Sequence, residues 1–289
     1  MNTEAKPVAV ITGGASGQGL ACAQHLGATH QLLIADIAQG RLEAAADALG
    51  SEGATVHTTL CDVADLASVE SLRDHARRLG EVRVVVHAAG LGPLPQHSAR
   101  HQLEVNLRGT SYVMDSFTPT SPSRIVLVAF SSIGGHREFS RAADDLYASC
   151  ATDGVLEQIM ERLQLDGRVR AAYGAAKRGV QVLVQDRAAS WGAQGGRILS
   201  VSPGLIADTS MGREVLSLEG VADYGSQTAM HRNGVAADVV SAVAYLVSDA
   251  AAYVTGCDIL VDGGLVANIQ RHWTPEARAA WHNPESSQA

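Results

Sequence analysis

VAVITGGASGQG, residues 8 to 19, is the stretch on which the fold turns. Val8 to Thr12 is a short apolar run of the kind that forms a buried strand, and glycines follow at positions 13, 17 and 19, with a helix predicted to start near Gln18. Glycine lets the chain turn tightly and lets its backbone approach a pyrophosphate, while the first turn of the helix offers unpaired N–H groups to anionic oxygens. A glycine cluster alone marks any turn. Placed between a first strand and a helix it points to a dinucleotide, with Gly13, Ser16, Gly17, Gln18 and Gly19 as candidate contacts. Asp36 closes the next apolar run, QLLIAD (31 to 36). A carboxylate there can accept from both hydroxyls of an adenosine ribose and repels a 2′-phosphate. No arginine or lysine occurs in IADIAQ, residues 34 to 39, so NAD is expected over NADP, with Ile37 as an adjoining contact. The competing reading of Asp36 is a cap for the helix that follows.

Further apolar runs lie at 54–60, 82–88, 124–130, 197–202 and 257–261. Stretches with helical apolar spacing separate them, such as Leu42, Ala45, Ala46 and Leu49, or Val239, Val243, Leu246 and Val247. The alternation predicts an α/β protein, a single Rossmann-type, doubly wound parallel sheet of about seven strands with helices on both faces. Ligands of such sheets bind at the carboxyl ends of the strands, where the strand order reverses. No linker or internal repeat interrupts the pattern, so one NAD-binding domain is expected over residues 1–270. The polar residues 271–289 are expected as a tail or a partner-contacting arm. With 22 Lys and Arg against 30 Asp and Glu, the net charge is −8, and no block of like charge occurs, which argues against nucleic acid or an anionic membrane as partner. Cys22, Cys61, Cys150 and Cys257 are scattered without a CxxC pair, so neither a zinc cluster nor a disulfide framework is indicated. The start, MNTEAKPVAVITGG, lacks signal-peptide architecture and no apolar stretch approaches ~18 residues, so a soluble cytoplasmic protein acting on a small molecule is expected.

TGGASGQG fits a TGxxxGxG pattern, Asp62 and Val63 follow the third run, and Ala89 and Gly90 follow the fourth. VNLRGT surrounds Asn106, SSIGG spans Ser131 to Gly135, and YGAAK spans Tyr173 to Lys177. SPG lies at Ser202 to Gly204 and VTGCDILVDGG at Val254 to Gly264. In this order, and over nearly the whole chain up to Gly264, these motifs resemble the short-chain dehydrogenase/reductase family. TGxxxGxG with YxxxK also sets the chain apart from that superfamily's extended epimerase and dehydratase branch, whose loop reads TGxxGxxG. The resemblance implies further cofactor contacts at Asp62, Val63, Ala89, Gly90, Tyr173, Lys177, Pro203, Gly204, Ile206 and Thr209. It also implies a homo-oligomer, dimer or tetramer, and a catalytic set of Asn106, Ser132, Tyr173 and Lys177.

Hydride transfer between an alcohol and a ketone needs a group that gives or takes the hydroxyl proton and a donor that holds the oxygen. A free tyrosine titrates near ~10, so lowering it by two to three units requires roughly 3 to 4 kcal/mol. One ammonium at ~4 Å and an effective dielectric of ~20 supplies about 4 kcal/mol before desolvation is charged against it. Residues i and i+4 share a helix face. Tyr173 has Lys177 at that spacing, whereas Tyr147, in DDLYASCAT, has Ala151 there and Cys150 at i+3. Tyr173 is therefore the candidate acid/base. The resemblance assigns to Lys177 the ribose and the lowering of the phenol pKa, to Ser132 rather than Ser131 the bond to the substrate oxygen, and to Asn106 a water linking Lys177 to solvent. A helix-bend role is the alternative for Asn106.

The chain departs from the family at several points. His87-Ala88-Ala89-Gly90 stands where Asn-Asn-Ala-Gly is usual, which should alter the hydrogen bonding of the turn and not the proton chemistry. Thr209 lies five residues after Gly204, with Asp208 in the slot the family's threonine commonly takes, so either side chain is open as the nicotinamide contact. Tyr173 follows Ser132 by 41 positions, too many for a plain strand-to-helix connection. DGVLEQIMERLQL puts Val155, Leu156, Ile159, Met160 and Leu163 on one face, predicting an amphipathic helix capped by Thr152 or Asp153, and 141–150 is expected to form a shorter one. This insertion, about 136–170, is similar to that of bacterial 3-alpha-hydroxysteroid dehydrogenase/carbonyl reductases. It is expected either as a substrate lid or as a face packed on a neighbouring subunit or on the domain itself. Residues 205–232 form the candidate substrate loop, whose Met211, Leu216, Leu218, Tyr224 and Met230 suit an apolar ligand. His97 and His101 lie four apart without the glutamate of HExxH, so no metal is expected. The expected activity is NAD-dependent interconversion of a secondary alcohol and a ketone on a bulky or alicyclic, hydroxysteroid-like substrate, with oxidation as the family-implied direction. The alternatives are an epimerase or dehydratase of the extended type, or a catalytically silent NAD-sensing protein.

Overall fold

A computed structural model describes residues 6–218, 221 and 224–284. Seven strands, β1 Val8–Thr12, β2 Gln31–Asp36, β3 Val56–Leu60, β4 Val82–His87, β5 Val126–Phe130, β6 Arg197–Pro203 and β7 Asp258–Val261, form one parallel sheet in the order β3-β2-β1-β4-β5-β6-β7. Each lies on an apolar run of the sequence. Because both faces are covered, alternate residues of a strand serve different cores: Val8, Val10, Leu33 and Leu127 on one side, Ala9, Ile11, Leu32 and Val128 on the other. The order reverses between β1 and β4, which opens a crevice at their carboxyl ends.

The helices are α1 Gly17–Leu26, α2 Gln39–Ser51, α3 Leu66–Leu79, α4 Ala99–Leu103, α5 Gly109–Ser116, α6 Asp144–Tyr147, α7 Val155–Arg162, α8 Val169–Gly192, α9 Ser210–Leu216, α10 Tyr224–Gln227, α11 Ala236–Val247, α12 Leu265–His272 and α13 Pro275–His282. A π turn, Glu104–Arg108, joins α4 to α5. Helices α1, α2 and α11 cover one face; α3, α5 and α8 cover the other. None of the described helices is long and apolar enough to cross a membrane.

Helix α8 starts four residues before Tyr173, so the tyrosine sits in its second turn. The insertion consists of two 3₁₀ turns, Ile133–His136 and Glu138–Ala143, followed by α6 and α7. Helix α7 is not capped by Thr152 or Asp153; Gly154, at φ +79°, makes the entry turn. Its Val155, Leu156 and Ile159 join Tyr147 and Cys150 in the same core as Leu103, Leu107 and Val180. The apolar face of α7 thus packs on the chain's own domain. Tyr147 is fully buried, and its hydroxyl donates to the Ser140 carbonyl at 2.8 Å.

The polar stretch from residue 271, expected as a tail or a partner-contacting arm, contains α13. Thr274 accepts from the Ala277 N–H at 3.2 Å and Pro275 takes the first helical position, a start signal written in the sequence. Trp281, 3% exposed, then anchors the helix against Ile133, Leu265 and Ile269.

Candidate active site

A cavity of about 540 Å³ lies at the carboxyl ends of the strands. It brings together every sequence-predicted cofactor contact: the glycine turn with Ser16 and Gln18, Asp36 and Ile37, Asp62 and Val63, Ala89 and Gly90, Tyr173 and Lys177, and the Pro203–Thr209 segment with Gly204 and Ile206. Ser132 lines it as well.

At the glycine end the backbone is bare by necessity. Gly13 has φ +66°, and a Cβ on it would fall 2.7 Å from the Ala89 nitrogen; one on Gly19 would fall 2.2 Å from the Gly13 oxygen. The Gln18 side-chain oxygen is buried with no hydrogen-bond partner among the described residues. Asp36 accepts from the Ala38 N–H at 3.1 Å and from Arg41 Nη2 at 2.9 Å. The expectation that no cation adjoins Asp36 is thereby corrected, because the first turn of α2 folds Arg41 back over the end of β2. A side-chain-free turn at a helix N-terminus, a carboxylate at the end of β2 and an unpartnered amide oxygen fit the pyrophosphate and ribose of a dinucleotide.

At the other end, Ser132 follows β5 and its Oγ accepts from the Gly134 N–H at 3.1 Å. It lines the cavity beside the Tyr173 phenol and favours that group's ionised form. Ser131 also lines the cavity, but its Oγ donates to the Lys177 carbonyl at 2.8 Å and accepts from Gln181 Nε2 at 3.2 Å. Lys177 is buried, and burial lowers its ammonium to about 8. Its Nζ donates to the Phe130 carbonyl at 2.8 Å and stands 5.8 Å from the centre of the Tyr173 ring. The ammonium therefore stands beside the phenol and is also tied to β5. Burial holds the Tyr173 phenol above its ordinary range, offset in part by the neighbouring Ser132 hydroxyl and the Arg137 charge.

Asn106 lies in the π turn just behind the cavity wall. Its Oδ1 accepts from the Leu91 N–H at 2.9 Å, and its Nδ2 donates to the Leu91 carbonyl at 3.1 Å and to Gln102 Oε1 at 2.6 Å. Gly90 separates it from the lysine: a Cβ there would lie 2.6 Å from Asn106 Oδ1 and 3.4 Å from Lys177 Nζ. His87 replaces the usual asparagine with a directional bridge. Thr110 gives its hydroxyl proton to the Asn106 carbonyl (2.8 Å), so it must accept from His87 Nε2–H (2.9 Å), which leaves Nδ1 to accept from Thr12 (2.7 Å). Burial and the Lys177 charge drop this imidazole to about 3, so it stays neutral.

Thr209 lines the cavity and caps α9, accepting from the Gly212 N–H at 3.0 Å, whereas Asp208 turns outward and accepts from the Ala236 N–H at 2.9 Å. Of the expected loop residues, Met211, Leu218 and Tyr224 line the cavity; Leu216 and the exposed Met230 do not. His97 and His101 line its mouth with ring centres 6.2 Å apart. The sequence reading missed Arg137 and Arg170, which stand at the two ends of the insertion and bring positive charge to the cavity wall.

The short chain dehydrogenase family profile matches residues 7–167, and a profile described as Enoyl-(Acyl carrier protein) reductase matches 159–266. The chain is 30% identical over 273 residues to the 3-alpha-hydroxysteroid dehydrogenase/carbonyl reductase of Comamonas testosteroni, covering 90% of this chain and 96% of that protein. It is 31% identical over 268 residues to the cis-4-hydroxycyclohexanecarboxylate dehydrogenase of Sinomonas cyclohexanicum, covering 91% and 98%. Among solved structures, a short-chain type dehydrogenase/reductase from Mycobacterium ulcerans superposes with a TM-score of 0.73 at 26% identity, covering 91% of this chain and 90% of that one.

Proposed function

The chain belongs to the short-chain dehydrogenase/reductase family of oxidoreductases, and from that premise we propose that it is an NAD-dependent enzyme interconverting a secondary alcohol and a ketone on an alicyclic substrate. The observation that carries this reading is one cavity lined by Tyr173 and Ser132 together with the bare glycine turn and Asp36. When bound, the nicotinamide supplies the hydride acceptor in oxidation and the donor in reduction. In oxidation the Tyr173 phenolate takes the hydroxyl proton while Ser132 Oγ holds the substrate oxygen; in reduction the phenol returns it. Lys177, whose Nζ donates to the Phe130 carbonyl within the same cavity, is the residue assigned to the cofactor ribose. The Asn106 turn, braced by Thr110 and His87, holds the wall through which the proton reaches solvent. Asp36 disfavours a 2′-phosphate, and Arg41 is paired to it rather than offered to an anion. The alicyclic class is supported by the apolar Met211, Leu218 and Val221 at the substrate end and by relatives whose names carry a steroid or a cyclohexane ring.

The test is NADH formation across cyclohexanol, cis-4-hydroxycyclohexanecarboxylate and a 3α-hydroxysteroid, with Tyr173→Phe as the variant. The substitution is expected to lower turnover by about 10²- to 10⁴-fold while NAD still raises the melting temperature. Turnover by Tyr173→Phe at the wild-type rate would remove Tyr173 from the chemistry, and stronger thermal protection by NADP than by NAD would overturn the role given to Asp36.

A further inference from the structure

Arg137 enters the cavity wall from the first residues of the insertion and is only 9% exposed. Its Nη1 donates to the Arg170 carbonyl at 3.2 Å, in the first turn of α8. Its guanidinium carbon lies 5.6 Å from the centre of the Trp281 ring, so α13 backs the charge with an aromatic face. The same side chain abuts Gly174, the residue after Tyr173: a Cβ there would lie 3.5 Å from Arg137 Nη1 and 3.0 Å from the Gly134 oxygen. Gly134 in turn lies flat against the tyrosine, with its Cβ position 3.3 Å from Tyr173 Cε1. Arg137, Gly134, Gly174 and the Tyr173 ring therefore form one packed group.

We propose that Arg137 is a positioning residue for the reaction: clamped between α8 and α13, it supplies a permanent positive charge that favours the phenolate of Tyr173 and so sets the pH range in which that group works. This rests on Tyr173 as the acid/base. The physical case is a division of labour between two cations. The buried Lys177 ammonium titrates at about 8 and loses its charge in the alkaline range where a phenolate base is needed, whereas a guanidinium keeps its proton. The Arg137 charge also opposes part of the burial that raises the phenol. Among the described residues, further charged or titratable groups come from the elements packed around this pair. Helix α8 brings Arg170 and Lys177 to the same cavity wall, and the insertion carries His136 beside Arg137 in sequence and Glu138 and Arg141, which with Arg137 act on His282. Helix α13 brings His282 and Arg278, and β4 brings the neutral His87. Of these, His136 is bonded to Asp258 at 3.0 Å, and Glu138, 76% exposed, lies 3.7 Å from His282.

The test is a direct titration of the Tyr173 phenol in NAD-saturated protein, taken as the near-ultraviolet phenolate signal of each background minus that of its Tyr173→Phe counterpart. Arg137→Met is expected to move the titration up by about one pH unit, Arg137→Lys to restore most of it, and Trp281→Leu to shift it in the same direction by less. A lower melting temperature with the titration unmoved would make Arg137 a packing residue only and overturn the proposal. If Arg137→Met does not fold, the Arg137→Lys and Trp281→Leu titrations decide, and no shift in either overturns it. Full turnover of the alcohol panel by Tyr173→Phe removes the premise itself, a result distinct from an unmoved titration.

Discussion

Lys177 stands beside the Tyr173 ring as its i+4 spacing predicts, with its Nζ also bonded to the Phe130 carbonyl. Spacing places two side chains on one helix face; it does not say which acceptor a flexible ammonium finds, and here the Phe130 carbonyl of β5 takes it. The same limit hid Arg41 and Arg137, whose partners Asp36 and Trp281 come close only in the fold. The buried ammonium has a measurable consequence. Its pKa falls from 10.5 unfolded to about 8 folded, so between those values the unfolded chain binds more protons and stability rises with pH; below about 8 the full penalty applies. A shift of that size corresponds to about 3 kcal/mol, against about 1 kcal/mol for the bond to Phe130. Lys177→Met is therefore expected to melt above wild type near pH 7 and to lose that advantage as the pH approaches 10.5, measured by thermal unfolding across the range. An advantage independent of pH would show that the lysine is not held as a strained charge.

Among the elements, α8 carries most of the site and is tightly enclosed. The insertion was legible as a helix from Val155, Leu156 and Ile159, but an apolar face does not name what it packs against. That partner proved to be the π turn and α8, meeting at Gly179. A Cβ there would lie 2.3 Å from Leu107 Cδ1 and 3.0 Å from Tyr147 Cδ1. Gly→Ala in a helix gains about 1 kcal/mol in propensity, and overpacking a rigid core costs about 1–3 kcal/mol. With a contact this short, overpacking wins. Gly179→Ala is expected to lower the melting temperature, whereas Gly192→Ala, at the end of the same helix with open space around it, is expected to hold or raise it. Equal effects of the two substitutions would mean that α8 is not clamped at Gly179. The same contact gives Tyr147 its place: a spacer between insertion and α8, not a second proton carrier.

At the scale of the molecule, the doubly wound sheet was readable because seven Val- and Ile-rich runs have no other use in a chain with this glycine turn. The closing of the substrate end was not readable, because α13 is polar in composition and its attachment depends on Trp281, Ile133 and Ile269, residues remote in sequence that meet only in three dimensions. Two separable halves follow from this construction. The glycine turn and Asp36 rest on the core shared by α1, α2 and β2, while Ile133, next to Ser132, rests on α12 and α13. Truncation after Trp273 removes Trp281, whose loss alone costs about 3–5 kcal/mol, so the melting temperature is expected to fall by about 10 °C. The increment that NAD adds to that temperature is expected to survive, because the glycine turn and Asp36 lie in the other half, while turnover falls with the loosening of Ile133 and Arg137. Loss of the NAD increment together with activity would show instead that the two halves form one cooperative unit around the cavity.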